Sequence, residues 1–192
     1  AYRSSIFNTS ERGRYIVLEA GYRLKQKGQP MLEYADLKNF FAEAVHPPTL
    51  QRVREAVRKI RRSKAMLLVP GDEDCRSVGS FFKNPLVAPA EAARIHALAE
   101  QRVQGKTLPQ YPAEGGMVKL PAAWLVEQSG FPKGYARGPV GISHRHALAL
   151  VNRGGATARG IVALKDEVQQ KVFDLWGVRL QTEPEFVGFS GE

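Results

Sequence analysis

Gly79-Ser80-Phe81-Phe82-Lys83-Asn84-Pro85 places a hydroxyl, a cation and a side-chain amide within one short segment. Gly79 lets the backbone bend and approach a ligand just ahead of Ser80. Two phenylalanines anchor the turn, and Pro85 ends it by fixing φ and removing a donor. A hydroxyl held on such a loop can deliver a proton, and the lysine and amide beside it suit a phosphorylated ligand. The bland alternative is a buried aromatic turn in which Ser80 is an ordinary turn residue. The heptapeptide alone does not decide between them.

Further segments extend the pattern. Gly-Ser-Phe-Phe-Lys-Asn-Pro resembles the signature of the UDP-N-acetylenolpyruvoylglucosamine reductase family, flavoenzymes that complete UDP-N-acetylmuramate for bacterial peptidoglycan. Tyr2-Arg3-Ser4-Ser5-Ile6-Phe7 is similar to that family's Tyr-Arg-Asp-Ser-x-Phe segment. Tyr34-Ala35-Asp36-Leu37 resembles its Tyr-x-Asp-Leu, and Arg61-Arg62-Ser63-Lys64 its Arg-x-x-Lys. Lys119 to Leu125, His146-Ala147-Leu148 with Val151-Asn152, and Glu183 follow in the family's order. The resemblance covers nearly the whole chain. It departs at Ser4 and Asn8, where the family has an aspartate and a lysine. The chain also begins almost on top of an internal family motif, so it resembles the C-terminal part of the enzyme. The glycine-rich pyrophosphate loop of the flavin-binding portion has no counterpart.

The resemblance implies FAD and NADPH as cofactors and UDP-N-acetylglucosamine enolpyruvate as substrate. It also implies a cytoplasmic setting and roles in cell-wall biogenesis, cell shape and division. Hydride from the flavin reaches C3 of the enolpyruvyl group, and charge develops over C2 and the carboxylate. Donors aimed at that charge lower the barrier. Arg3 and Glu183 match the family's residues there; Glu183 would have to carry a proton to help. Ser80 matches the donor that protonates C2, which needs neighbours able to stabilise its alkoxide. Tyr34, Lys64, Asn84 and His146, with Lys133, are implied contacts to the UDP-sugar. Tyr2, Arg3 and Gly79 are implied on the cofactor side. FAD is expected to be absent from this portion, which alone is expected to be inactive.

Each residue has a plainer reading: Glu183 as a solvated loop carboxylate, Arg3 as a surface arginine, Tyr34 as a packing ring. His146 would be a satisfied core histidine, and Lys64 one more charge of a basic helix. Other chemistries fit less well. Gly105-Lys106-Thr107 has Glu100 where a phosphate loop needs its first glycine. Gly154-Gly155 lacks dinucleotide-fingerprint spacing. His144-x-His146 lacks partners at ligand spacing, so no metal site is expected. Asp72, Glu73 and Asp74 beside Cys75 disfavour a reactive thiolate.

A net charge of +9 steers anions, either a nucleotide sugar or nucleic acid. Arg52, Arg54, Arg58, Lys59, Arg61, Arg62 and Lys64 supply the rival reading, a basic nucleic-acid-binding module. It lacks aromatics interleaved for stacking, so no nucleic-acid partner is expected. One cysteine excludes an intrachain disulfide and suits a reducing compartment. No apolar run approaches the ~20 residues that span a bilayer, so no membrane partner is expected.

The elements that must position these groups read as α+β: part of a FAD-binding domain plus an α+β substrate-binding domain. Alternation at Ile16, Leu18, Ala20, Tyr22 and Leu24 predicts a strand over 15–24. Pro47-Pro48 and Thr49 precede a helix with Leu50, Val53, Val57 and Ile60 on one face. Pro89 and Pro121 open two more, the second closed by Gly130. Residues 147–151 predict a buried strand. Thr157 caps a long helix with Ile161, Leu164, Val168, Val172 and Leu175 inward, ended by Gly177. Short strands are expected at 178–180 and 186–187, and a surface loop at 104–116. Residues 1–63, with the tail 181–192 returning, form the expected flavin-binding part, and 64–180 the substrate domain.

Overall fold

The computed structural model describes residues 5–189. The chain divides into two compact units between Val53 and Arg54. In the first, α1 (Ala35–Phe40) follows Tyr34 in extended backbone and buries Leu37. The strand expected over 15–24 is absent: the segment has no regular structure, and Leu18 is 92% exposed. Alternation marks two faces, but a strand exists only where a neighbour completes its ladder. No second strand lies in this unit among the described residues.

α2 (Leu50–Ser63) spans the boundary. Thr49 Oγ accepts the Arg52 N–H (3.3 Å), as its capping role predicts. The second unit holds two three-stranded antiparallel sheets. One orders β1 (Leu86–Val87), β3 (Val118–Lys119) and β2 (Tyr111–Pro112). The other orders β4 (Ala136–Arg137), β5 (Val140–Ile142) and β6 (Leu150–Asn152). α4 (Ala122–Gln128) packs on α5 (Ala158–Trp176), and α5 covers β5 and β6. α3 (Pro89–Arg102) starts on Pro89 and buries Ala92, Ile95 and Ala99. The architecture is α+β.

One continuous core runs from Phe81 and Phe82 through Leu125, Ile142, Leu150, Leu164, Val168, Val172 and Trp176 to Leu180. Thr157 Oγ accepts the Gly160 N–H, and Gly177, at φ +74°, returns its N–H to Phe173 O. Both caps of α5 are those its sequence predicts. β5 buries all three residues. At Gly141 a Cβ would lie 2.5 Å from Arg153 Nε and from Tyr135 O, so only glycine admits the arginine there.

Other expectations are corrected. Ala147 and Leu148 form a turn, and regular pairing is confined to Leu150–Asn152. Residues 178–180 and 186–187 are not strands; a single bridge joins Phe82 to Thr182. The 104–116 segment is no plain surface loop. Leu108 is buried in the core, Tyr111–Pro112 is β2, and Glu114–Gly116 is a 3₁₀ turn. One apolar anchor inside a polar stretch suffices to tether it. The described tail pairs with residues 81–83 in the second unit.

Candidate active site

The Ser80 segment lies between residues 148–149 and residues 181–183. On one side Ser80 bridges Ala149, and the Phe81 N–H donates to Leu148 O (2.8 Å). On the other, the Glu183 N–H donates to Phe81 O (2.9 Å) and the Lys83 N–H to Gln181 O (2.9 Å). Phe81 and Phe82 are both buried, which locks the strap from within. Gly79 takes φ +91°, with open space where a Cβ would be, so its need is backbone conformation rather than close approach. Ser77 Oγ accepts the Gly79 N–H (3.2 Å). Ser80 and Glu183, about a hundred residues apart in sequence, are thus set on adjoining segments. Glu183 is exposed.

Beside this strap lies a cleft of about 330 Å³ lined by Arg61, Lys64, Cys75, Gly79, His146 and Ala149, among others. Its basic wall is where α2 stops. The Met66 N–H returns to Arg61 O (2.8 Å) and the Ala65 N–H to Arg62 O (3.2 Å), a Schellman closure with Ala65 at φ +57°. Lys64 sits on that stop.

The opposite wall carries His146. Its Nδ1 accepts the Leu148 N–H (3.1 Å), which leaves Nε2 to hold the proton of the neutral ring. Burial lowers its pKa below 6.5, and the charges of Lys64 and Lys133 lower it further. His146 is therefore a neutral donor flanked by two cations.

Beneath it is a polar cluster that sequence reading missed. Asp74 is buried, and its carboxylate accepts from Ser143 Oγ (3.0 Å), the His144 N–H (3.1 Å) and Arg145 Nε (3.2 Å). Burial alone would raise the Asp74 pKa. The bonds from the His144 backbone, Ser143, Arg145 and the His144 ring outweigh it and hold the carboxyl below its usual range. Ser143 Oγ in turn accepts the N–H groups of Arg145 (3.0 Å) and His146 (3.2 Å).

The remaining expected site residues are dispersed. Asn84 Oδ1 accepts the Ala122 N–H (2.9 Å), tying the strap to the start of α4. Lys133 is exposed, with its charge felt at His146. Tyr34 is exposed at the head of α1 in the first unit. Tyr2 and Arg3 lie outside the described residues. An apolar depression of about 530 Å³ flanks the strap, lined by Val78, Phe81, Ile161, Pro184, Phe186 and Phe189 among others. Such a face suits a flat conjugated ring.

The family model described as UDP-N-acetylenolpyruvoylglucosamine reductase, C-terminal domain, matches residues 70–187. The UDP-N-acetylenolpyruvoylglucosamine reductase of Thermobifida fusca is 45% identical over 98% of this chain and 53% of its own length. Those of Mycolicibacterium gilvum and Streptomyces avermitilis are 44% and 41% identical, each over 98% of this chain, with 53% and 52% of their own lengths covered. The chain spans about half the length of the curated relatives it matches. It belongs to the UDP-N-acetylenolpyruvoylglucosamine reductase family.

Proposed function

We propose, from that membership, that the chain carries the substrate-handling half of a cytoplasmic reductase. The enzyme uses FAD and NADPH to convert UDP-N-acetylglucosamine enolpyruvate to UDP-N-acetylmuramate for peptidoglycan synthesis. The observation that carries this reading is the pairing of the Ser80 and Glu183 segments beside a cleft holding Lys64 and His146. On this reading residues 1–63, with the tail 181–192, serve the flavin-binding part, with Tyr2, Arg3 and Gly79 toward the cofactor, and residues 64–180 serve the substrate.

The flavin, when bound, would supply the hydride that adds to C3, with Tyr2, Arg3 and Gly79 on its side of the site. The electron pair of the C2=C3 bond then moves toward C2 and the carboxylate. Arg3 stabilises that developing charge by a charge-assisted bond, and Glu183 does so only in its protonated form, as a hydrogen-bond donor. Ser80 Oγ–H breaks and its proton goes to C2, completing the saturated lactyl ether. The serine oxygen then regains a proton from solvent. Lys64, Lys133 and the His146 Nε2–H hold the diphosphate, two as point charges and one as a neutral donor. Asn84 and Tyr34 complete the UDP-sugar contacts.

Isothermal titration of the chain with the UDP-enolpyruvyl sugar tests the assignment. Lys64→Ala is expected to bind roughly tenfold more weakly, the loss of one charge-assisted contact. Equal binding by both proteins would remove Lys64 from the site. Preference for single-stranded DNA over the UDP-sugar at about 0.15 M salt would favour the basic-module reading instead.

A further inference from the structure

Arg145 joins three segments through one guanidinium. Its NH1 donates to Arg62 O (3.1 Å), in the last turn of α2. Its Nε donates to Asp74 Oδ2 (3.2 Å), and its NH2 pairs with Asp72. The Asp72 and Asp74 carboxylates answer its charge, so it is not itself the anion contact. Lys64 stands two residues beyond the carbonyl it grips, and His146 is its immediate neighbour, held with it by Ser143 Oγ. The two walls of the cleft are therefore cross-braced at one side chain.

We propose that Arg145 is a positioning residue. It fixes the spacing of Lys64 and His146, and so sets how tightly the cleft holds a diphosphate; this rests on the nucleotide-sugar reading above. Two independent tethers point the same way. The Schellman closure sets Lys64 relative to α2, whereas Arg145 ties the end of α2 to the 143–146 turn. Without the brace, each wall keeps its fold, but the Lys64 cation and the neutral His146 donor lose their common target. Holding a contact pair in register is worth far more than its own bond, because misplaced charges recover little of the interaction. Arginine suits the task since its planar fork serves several acceptors at once, and a lysine ammonium on a flexible stem cannot hold that geometry.

UDP is the probe. The chain, Arg145→Gln, Arg145→Lys and Lys64→Ala, with the two corresponding double variants, are titrated with UDP by calorimetry, with thermal melts recorded in parallel. Arg137→Gln is the control, since it also breaks an ion pair, with Glu167, away from the cleft lining. We expect Arg145→Gln to weaken UDP binding roughly tenfold and Arg145→Lys by several fold despite its retained charge, with the control at wild-type affinity. In the Lys64→Ala background the Arg145 penalty shrinks, since a brace matters only while the residue it places is present. Where the glutamine variant unfolds, Arg145→Lys, which keeps charge and most volume, carries the test. Folded Arg145 variants that bind UDP like wild type overturn the inference alone, as do penalties that add fully to that of Lys64→Ala. Absence of UDP binding by the wild-type chain overturns the nucleotide-site reading, and this inference with it.

Discussion

Ser80 is a weak acid in water, and its proposed role depends on what surrounds it. Its backbone is pinned to Ala149 by the bridge, while Phe81 and Phe82 leave the strap no room to shift. In the flavin-loaded enzyme, Ser80→Ala should leave reduction by NADPH nearly intact. Turnover of the enolpyruvyl sugar should fall about 10²–10⁴-fold, the usual worth of a placed proton donor. Stopped-flow absorbance at the flavin band separates the two half-reactions. Wild-type reoxidation in the alanine variant would make Ser80 a turn residue. His146 carries a pH prediction. Its pKa lies below 6.5 in the folded chain, so between that lower value and 6.5 the unfolded chain binds more protons. Stability is then complete above about pH 6.5 and falls as pH drops through the folded value. Urea unfolding at pH 7.5 and 5.5 should show a loss in the wild type that His146→Gln reduces; equal losses would mean that another group titrates. Ser80, Lys64 and His146 could be singled out as candidates because their types stand in ordered local segments. Arg145 and Asp74 were not, since their partners lie some 70 residues away and each alone reads as solvated charge.

Helices were legible where their ends carry local chemistry. Thr49, Pro89 and the Thr157–Gly177 pair mark boundaries that need no tertiary information. Strands were not, because the ladder partner decides: 15–24 alternates without one, while two- and three-residue strands such as β1 and β4 are too short to show a period. The stop of α2 was also hidden, since no glycine announces it. Ala65 adopts φ +57° there, a conformation that costs an L-residue about 1–2 kcal/mol. Ala65→Gly removes that strain, set against the roughly 0.5–1 kcal/mol of extra entropy a glycine loses on folding. The net expectation is a gain of about 0.5–1 kcal/mol, read as a higher urea midpoint at unchanged slope. A lower midpoint would show that the alanine methyl's contacts outweigh the backbone strain. This element bears on the site directly, because the next residue toward the helix is Lys64.

At the scale of the whole molecule, burial is unevenly shared. In the first unit, among the described residues, Leu37, Phe41 and Pro48 are the buried side chains, whereas the second unit holds one cluster reaching from Phe81 to Leu180. At about 25 cal/mol per Å² of apolar surface removed from water, the second unit has by far the larger driving force. Local opening follows buried contact, so the two units should differ in their resistance to protease. Arg12, Arg14, Arg23, Lys25 and Lys27 stand in exposed backbone outside any helix or strand. Brief trypsin treatment should therefore cut within 12–27 before it cuts α2, although α2 carries more basic residues, because helical backbone must unwind to enter a protease. The surviving piece should contain residues 54–189 and keep the cleft, since Lys64, Arg145 and His146 all lie there. Mass spectrometry of the digest identifies the cuts, and calorimetry with UDP asks whether the survivor still binds as the intact chain does. First cleavage inside α5 or the 104–116 segment would refute this ordering of stability. Loss of UDP binding with the second unit intact would instead place a needed contact in the first, where Tyr34 is the candidate.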